Sequence, residues 1–377
     1  MKSRLPEFES SIFAVMTPLA KEHNAINLSQ GFAEFDANPK LLELINKYYS
    51  GGTNAYAPMP GLPLLRERLA QKYATLHGHE YNWKTEITIT SGATQAIYCA
   101  ITAAVHPGDE VIVLEPVFDT YVPGIQLCGA KAVPVQMKAP AFLPDWEEVE
   151  AAITDKTRMI IINSPHNPSG SVLSRDDMLR LEVLLEKHDL LLLSDEVHEH
   201  VFYEKEHQSV AAYEGLRKRA FLVGSFGKTY HGTGWKIGYC MSPAAMNKEF
   251  LKIHQNVVFA SNHPMQHALA EYMQDPQTYL QLPDFFRAKR DFFLKGIENS
   301  RFKFYPTEGT FFQLLDYSDI STEKDIDFAI WLTKEFGVAT IPLSPFYEIA
   351  PDQQLLRVCF AKHEETLEKA CEILSSI

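Results

Sequence analysis

Residues 220–240 read AFLVGSFGKTYHGTGWKIGYC, and this stretch decides the fold. It opens with a mostly apolar run that ends at Ser225, which is typical of a buried strand. Lys228 and Lys236 then stand among glycine, threonine and aromatic residues. Most lysines are solvated at the surface, but crowded apolar surroundings remove hydration and lower the pKa of an amine. The stretch therefore predicts a strand that ends in an amine able to attack an aldehyde.

The segments before this stretch repeat the pattern of a short strand followed by a helix. Runs rich in β-formers are separated by helical segments such as 175–188, and they lie at 86–90, 110–114, 158–163, 190–194 and 220–225. Such alternation is the signature of βαβ units stacked around a mainly parallel sheet. We expect this α/β sheet to form a large domain over 31–275.

The pattern changes near residue 276. Beyond it the predicted elements are a long helix and then short strands and helices, at 285–300, 309–316, 328–336 and 355–361. The segment before Gly31 has too little apolar surface for a core of its own. We expect residues 1–30 and 276–377 to form a smaller α+β domain, with the N-terminal segment packed against it or against a partner subunit.

The composition is that of an ordinary globular protein, since 46% of the 377 residues are hydrophobic and 22% are charged. A formal net charge of -13 and the lack of a Lys/Arg block argue against nucleic acid or an anionic membrane as the partner. Small molecules are therefore the expected ligands.

The cysteines lie without CxxC or His/Cys spacing, so the sequence predicts neither a zinc site nor a disulfide framework. The start, MKSRLPEFESSIF, carries acidic residues early and lacks the continuous apolar core of a signal peptide. No apolar stretch of the sequence is long enough to cross a bilayer. We expect a cytoplasmic protein that uses no metal and no membrane.

Polar residues that follow the strands are candidates for the binding site, because ligands bind beyond the carboxyl ends of parallel strands. The turn SGAT (91–94) opens a helix whose N–H groups could hold a phosphate, although many such turns use serine and glycine for geometry alone. Asp195 and Glu196 follow the apolar run LLLLS. A buried carboxylate needs a cationic partner, and a helix cap or a surface salt bridge is the alternative.

These groups together match the features of a single ligand. A phosphate would suit the Gly92 turn, Ser225 and Lys236. A cationic ring nitrogen would suit Asp195, and a carbonyl carbon would suit Lys228. Pyridoxal 5′-phosphate carries all three features. A nicotinamide cofactor would require GxGxxG after a strand, and that motif is missing.

Taken together, the motifs resemble those of fold-type I pyridoxal-phosphate enzymes, specifically class I/II aminotransferases of the methionine, kynurenine and glutamine-specific kind. They span nearly the whole chain: INLSQGF (26–32), NAYAPMPGLPLLRE (54–67), SGATQA (91–96), EPVFDTY (115–121), NSPHNPSG (163–170), SDEV (194–197), SFGKTYHGTGWKIGY (225–239), HQNVVF (254–259) and LLRVCFAK (355–362). The resemblance implies a large α/β domain with a mainly parallel seven-stranded sheet flanked by helices, and a smaller α+β domain.

The resemblance implies roles by position around the cofactor. Lys228 corresponds to the lysine that forms the Schiff base and moves protons, and Asp195 to the partner of the ring nitrogen. Asn167 corresponds to the residue that hydrogen-bonds the phenolic oxygen, and Phe118 to the aromatic residue stacked on the ring. The implied phosphate ligands are Gly92, Ala93, Thr94, Ser225 and Lys236.

Other positions correspond to the substrate site and to a second subunit. Arg357 matches the arginine that pairs with the substrate α-carboxylate, beside Gly31 and Asn167. Tyr56 matches a tyrosine that reaches the neighbouring subunit's phosphate, and Phe259 matches a residue that lines the neighbour's substrate pocket. The resemblance therefore implies a homodimer with shared active sites.

One position departs from the family pattern. The residue after SDEV is His198, where the family usually has a tyrosine that donates a second hydrogen bond to the phenolic oxygen. A histidine can donate too, but its smaller ring and its ability to carry charge would alter how the cofactor titrates. A histidine also occurs here in fold-type I carbon–sulfur β-lyases, although those lyases lack the TGWK continuation at 233–236.

The implied reaction is a double-displacement transamination that moves an α-amino group to a 2-oxo acid. No arginine is evident for an acidic side chain, and Phe13 replaces a larger aromatic residue of the kynurenine-type relatives. The positions that match the pocket lining are Phe13, Phe32, Phe118 and Phe259. The predicted donors are neutral: methionine-like, aromatic, glutamine or kynurenine. The alternatives are a carbon–sulfur β-lyase and, remotely, a cofactor-binding module without catalysis.

Overall fold

The computed structural model describes residues 2–6, 8 and 11–377. Its strands are short runs rich in branched and other apolar residues, which suit the pleated backbone of a half-buried or buried sheet. In chain order they are β1 (Ile26–Asn27), β2 (Ile87–Thr90), β3 (Glu110–Glu115), β4 (Lys131–Gln136), β5 (Thr157–Asn163), β6 (Leu191–Asp195), β7 (Ala220–Ser225), β8 (Gly238–Met241), β9 (Phe312–Asp316), β10 (Val338–Ala339), β11 (Ile341–Pro342) and β12 (Leu355–Cys359).

The helices between the strands have starts that the sequence encodes. At the helix Arg175–His188, the Ser174 hydroxyl accepts from the Asp177 N–H and the Asp177 carboxylate accepts in return, which forms a capping box. In chain order the helices are α1 (Ile12–Glu22), α2 (Pro39–Ser50), α3 (Pro63–His77), α4 (Ala93–Ala104), α5 (Tyr121–Leu127), α6 (Trp146–Ala151), α7 (Arg175–His188), α8 (Glu214–Arg217), α9 (Phe226–Thr229), α10 (Ala244–Val257), α11 (His263–Tyr272), α12 (Gln277–Leu280), α13 (Leu282–Gly296), α14 (Asp325–Trp331) and α15 (Glu364–Ser375). Within the described residues, no helix combines the length and hydropathy that crossing a bilayer requires.

Within the described residues, seven strands form one sheet in the order β2–β8–β7–β6–β5–β3–β4. Neighbouring strands are parallel except around β8, which runs antiparallel to both β2 and β7. Alternate side chains enter separate apolar clusters: Ile112 belongs to the cluster that contains Leu181 of α7, and Val113 belongs to the cluster that contains Ile97 of α4. The predicted α/β architecture is therefore confirmed.

A smaller antiparallel sheet lies in the C-terminal part of the chain, in the order β11–β12–β9. In this sheet Arg357 of β12 lies opposite Ile341 of β11. The N-terminal strand β1 pairs in parallel with β10, so that Ile26 lies opposite Val338. This pairing joins the N-terminal segment to the C-terminal part of the chain. The boundaries of the two domains stay a prediction.

The strands predicted from apolar runs are confirmed to within a residue or two as β2, β3, β5, β6 and β7. The sequence interpretation did not include β4 and β8. β4 forms an edge of the sheet and contains Lys131 and Pro134, which are typical of edge strands and interrupt an apolar run. The helix predicted over 285–300 is α13, which begins and ends earlier, at Leu282 and Gly296.

Candidate active site

A cavity of about 200 Å³ lies at the carboxyl ends of β5, β6 and β7. Parallel strands bring these ends to one edge of the sheet, so the side chains that follow each strand meet there. The predicted site residues that line the cavity are Gly92, Ala93, Thr94, Phe118, Asn167, Asp195, His198, Ser225, Lys228 and Lys236. One cavity therefore brings together the predicted amine, carboxylate and anion-binding turn.

Lys228 lies in α9, the short helix that follows β7 directly. Its Nζ donates a hydrogen bond to the carbonyl oxygen of Gly31 at 2.7 Å. Burial lowers the pKa of the Lys228 amine to about 8. An amine with this pKa has a sizeable neutral fraction near neutral pH, so it can serve as a nucleophile and as a base.

Asp195 ends β6 and is only 3% exposed. Its Oδ2 accepts from the Tyr121 hydroxyl at 2.5 Å, and its Oδ1 accepts from the Val197 N–H at 3.2 Å. The Asn163 side chain donates to the backbone carbonyl of Asp195 at 2.8 Å. Burial raises the pKa of the Asp195 carboxyl to about 6. A cation placed beside this buried carboxylate would be held firmly in its charged form.

The turn before α4 presents backbone N–H groups to the cavity. α4 begins at Ala93, and none of the residues in its first turn is acidic. Gly92 has a φ of 81°, and a Cβ there would lie 3.2 Å from the Cε of Lys236. The helix N-terminus, the Lys236 amine and the nearby Ser225 hydroxyl together suit an anion.

Arg357 of β12 is 1% exposed, and among the described residues its guanidinium hydrogen-bonds to two neutral oxygens and forms no salt bridge. Nη1 donates to Oδ1 of Asn167 at 2.7 Å, and Nη2 donates to the Ser29 carbonyl at 3.0 Å. The rings of Phe13 and Phe312 lie 5.1 and 4.0 Å from the guanidinium carbon. Burial lowers the pKa of Arg357 to about 10, which still leaves it charged near neutral pH. This oriented, unpaired cation suits a carboxylate ligand.

Both ring nitrogens of His198 are buried and find no hydrogen-bond partner among the described residues. The rings of Phe311 and Phe312 lie edge to face with the imidazole, at centroid distances of 5.1 and 5.8 Å. Burial, followed by the charges of Lys228 and Arg357, holds the pKa of His198 well below its ordinary value. His198 is therefore a neutral ring with one unsatisfied N–H donor at the cavity.

Three further predicted residues do not line the cavity, and two of them contact site residues. Gly31 accepts from Lys228, and Phe13 lies beside the Arg357 guanidinium. The Phe32 ring lies 5.4 Å from the Lys362 amine. Gly31 and Phe13 therefore lie beside Lys228 and Arg357, whereas Phe32 is 42% exposed and its place in the substrate pocket stays a prediction.

Tyr56 and Phe259 lie outside the cavity of their own chain. They are 83% and 45% exposed, and their rings meet edge to face at a centroid distance of 5.5 Å. Phe259 has a φ of 65°, which is unusual for a bulky residue. Two adjacent exposed aromatic side chains are typical of a surface that contacts another molecule.

The structure also places at or beside the cavity residues that the sequence interpretation did not single out. Tyr121 and Asn163 both hydrogen-bond to Asp195, and Thr233 lines the cavity. Tyr121 and Asn163 are part of the motifs EPVFDTY and NSPHNPSG. The motifs were therefore a signal for them, but spacing along the chain does not reveal which side chains meet across strands.

Comparison with known proteins identifies the family. Residues 23–374 match the family model Aminotransferase class I and II. The chain is 46% identical to the methionine aminotransferase of Escherichia coli (strain K12), and the match covers 100% of this chain and 98% of that protein. The chain belongs to the class I and II aminotransferases.

Two further comparisons agree with this assignment. The aminotransferase is 34% identical to a kynurenine–oxoglutarate transaminase of Dictyostelium discoideum, over 96% of this chain and 93% of that one. It matches the crystal structure of an Escherichia coli protein identified as a methionine aminotransferase with a TM-score of 0.97 and 45% identity, over 100% and 99% of the two chains. The predicted family and reaction class are therefore confirmed. Enzymes of this family depend on pyridoxal 5′-phosphate and use amino acids and 2-oxo acids as substrates.

Proposed function

We propose that the cavity binds pyridoxal 5′-phosphate and that Nζ of Lys228 holds its aldehyde carbon covalently. The observation that carries this proposal is that the Lys228 amine and the buried Asp195 carboxylate line the same cavity. Asp195 would keep the ring nitrogen protonated, because a buried carboxylate favours a neighbouring cation. The Gly92 turn, Ser225 and Lys236 would hold the phosphate.

Three features of the cavity support the fit of this cofactor. The imidazole of His198 is a buried donor without a partner, which a phenolic oxygen would satisfy. Gly92 lacks a Cβ that would crowd Lys236, so the turn leaves space for an anion beside the amine. Phe118 lines the cavity with an apolar ring against which a pyridine ring can stack.

Lys228 performs the proton transfer. When bound, pyridoxal phosphate supplies a pyridinium ring that withdraws electrons from the bond broken at the substrate α-carbon. Once the substrate amine has displaced it from the aldehyde carbon, the freed Nζ of Lys228 would take the α-proton and return it at that carbon, since its pKa of about 8 lets it act as a base and then as an acid. The Gly31 carbonyl, which accepts from Nζ, restrains the amine at this position.

Arg357 binds the α-carboxylate of the substrate. Its hydrogen bonds to Asn167 and Ser29 fix the plane of the guanidinium. The rings of Phe13 and Phe312 shield the cation from water, which strengthens its interaction with an anion. A planar fork held in this way pairs with a carboxylate through two parallel hydrogen bonds.

We infer that the amino donor carries a neutral side chain, with methionine-like and aromatic donors favoured and glutamine and kynurenine within the range. Among the described residues that line the cavity, the cations are Lys228 and Lys236, and both already have proposed roles. No cavity-lining cation then serves an acidic side chain. Phe13 and Phe32 favour apolar or sulfur groups but discriminate weakly between side chains of similar size. The 46% identity to a methionine aminotransferase supports the sulfur-containing donor.

We also infer a homodimer with shared active sites, in which Tyr56 and Phe259 of one copy complete the site of the other. Both side chains are exposed and neither lines the cavity of its own chain. A second copy related by a two-fold axis would cover both pairs at once. In this arrangement Tyr56 contributes to the phosphate end and Phe259 to the substrate pocket.

The experiment that tests the proposed function is a donor survey with the purified, cofactor-loaded enzyme. Methionine, phenylalanine, glutamine, kynurenine, aspartate and cystathionine are each supplied with and without a 2-oxo acid acceptor, and the products are identified by mass spectrometry. We expect methionine or phenylalanine to give the highest kcat/KM, aspartate the lowest, and turnover only with the acceptor present.

The control for this survey is Lys228→Ala, which lowers turnover by about 10⁴-fold because the amine that moves the proton is gone. Aspartate as the best donor would contradict the inferred substrate class. Repeated turnover without an acceptor, with pyruvate released from cystathionine, would instead favour β-elimination.

A further inference from the structure

The Tyr121 side chain hydrogen-bonds to the Asp195 carboxylate and has no role in the proposed function. It begins α5 and is 2% exposed. Its hydroxyl donates to Oδ2 of Asp195 at 2.5 Å. This is the short distance of a charge-assisted O–H···O⁻ hydrogen bond, which is about twice as strong as a neutral one.

The other contacts of Asp195 come from the backbone of its own loop and from a neighbouring strand. Oδ1 accepts from the Val197 N–H at 3.2 Å, and Asn163 of β5 donates to the Asp195 carbonyl at 2.8 Å. The hydroxyl of Tyr121 and the Val197 N–H thus hold the two carboxylate oxygens from different elements. Together they fix the rotation of the carboxylate about its side-chain bonds.

We propose that Tyr121 is a positioning residue for the aminotransferase reaction, which holds the Asp195 carboxylate in the orientation and charge state that the cofactor's ring nitrogen requires. This inference rests on the proposed function, because it assumes that the cavity holds pyridoxal phosphate. Tyr121 acts through Asp195 and need not touch the cofactor itself.

The electrostatics of the site agree with this role. Burial raises the pKa of Asp195 to about 6, and the hydrogen bond from Tyr121 is the largest opposing influence. The groups that also face the carboxylate are the Val197 N–H and Glu196 in the loop after β6 and Lys228 of α9. Tyr121 itself has a pKa well above its ordinary value, because it is buried beside Asp195, so it stays a protonated donor.

A purely structural role for Tyr121 is the competing explanation. Its ring lies edge to face with Phe118 at a centroid distance of 5.7 Å, so removal of the ring would also disturb that wall of the cavity. Replacement by phenylalanine keeps the ring and removes only the hydroxyl. Tyr121→Phe therefore separates the hydrogen bond from the packing.

The test measures the dissociation constant of pyridoxal phosphate for the apoprotein, from acid to mildly alkaline pH, in the wild type and in Tyr121→Phe. We expect the constant to rise about tenfold near neutral pH, the size of effect expected when a hydrogen bond to a charged group is lost. As the pH is lowered, we also expect Tyr121→Phe to lose affinity for the cofactor at a higher pH than the wild type. The reason is that Asp195 without its hydrogen-bond donor takes up a proton more readily.

The matched control is Tyr213→Phe. The Tyr213 hydroxyl donates to Gln208 at 2.6 Å, and the residue is buried but does not line the cavity. This variant also loses a phenolic hydrogen bond inside the protein. We expect its dissociation constant and pH profile to match those of the wild type.

Repeating Tyr121→Phe in an Asp195→Asn background completes the test. The proposal predicts that the loss of cofactor affinity then nearly disappears, because no carboxylate is left to hold. The proposal is overturned if Tyr121→Phe binds cofactor as the wild type does, or if its penalty is the same in both backgrounds. In these two results Asp195→Asn alone still weakens binding, so the proposed function stands. A wild-type protein that fails to bind pyridoxal phosphate contradicts the proposed function, and this inference with it.

Discussion

Two regions, which we call the inner wall of the cavity and the outer rim, differ in the hydrogen bonding and the exposure of their side chains. The inner wall is lined by Asp195 and Asn163 and backed by Tyr121, and both Tyr121 and Asn163 donate hydrogen bonds to Asp195 of the same chain. The outer rim is the pair Tyr56 and Phe259, which lies outside the cavity of its own chain, with the two exposed rings in contact with each other. One chain therefore holds by itself the carboxylate that we propose for the cofactor ring, whereas the role proposed for the rim requires a second copy.

The largest effect on kcat is expected for Asp195→Asn in the inner wall. We expect kcat with methionine and a 2-oxo acid to fall about 10²- to 10³-fold, because the cofactor's ring nitrogen would lose the buried carboxylate proposed to keep it charged. Steady-state kinetics measure the change. The matched control is Asp189→Asn, whose carboxylate pairs with Arg219 at the surface and should leave kcat unchanged. Wild-type kcat in Asp195→Asn would show that the inner wall does not serve the chemistry.

A smaller effect is expected for Arg357→Lys, which also tests a group held within one chain. A lysine cannot keep the contacts to Asn167 and Ser29 and at the same time offer a fork to the carboxylate. We expect kcat/KM for methionine to fall about 10- to 100-fold, mainly through KM. Arg219→Lys, at the surface, serves as the control. Equal losses in both variants would contradict a specific role for Arg357.

The pH dependence of cofactor recombination tests the burial of Lys228. The neutral amine is the reactive form, and burial lowers the Lys228 pKa to about 8. The rate at which apoprotein takes up pyridoxal phosphate should therefore fall about tenfold for each pH unit below that pKa and level off above it. Stopped-flow absorbance follows the reaction. A rate that keeps rising toward the ordinary lysine pKa would contradict a buried amine.

The smallest signal is expected at the outer rim, where subunit mixing tests whether Tyr56 acts on the other copy. Tyr56→Ala and Lys228→Ala are each weakly active, but a mixed dimer contains one site with an intact Lys228 and an intact Tyr56 from the other chain. Random mixing should restore about a quarter of wild-type activity. If Tyr56 served its own chain, mixing would restore no activity. That result would contradict a role of the outer rim in the site of a second copy.

Much of this architecture follows from local sequence patterns. Apolar runs located β5, β6 and β7, because a strand buried on both faces is apolar throughout. The residues after those runs included Asn167, Asp195 and Lys228, which the structure brings to one cavity. The edge strand β4 was missed since its Lys131 and Pro134 interrupt the apolar pattern.

The remaining features depend on contacts between distant segments. Tyr121 and Asp195 are 74 positions apart, and only the packing of α5 against the strand ends brings them together. The sequence also left the charge of His198 open. Its neutral state follows from burial against Phe311 and Phe312, which lie on a segment far along the chain.

Chemical reduction tests whether the cofactor is attached covalently to Lys228. Wild-type enzyme and the Lys236→Ala variant are loaded with pyridoxal phosphate, reduced with borohydride, digested and analysed by mass spectrometry. We expect a pyridoxyl group on Lys228 in both proteins. A label on another lysine, or no label on wild-type enzyme that had bound the cofactor, would contradict this attachment.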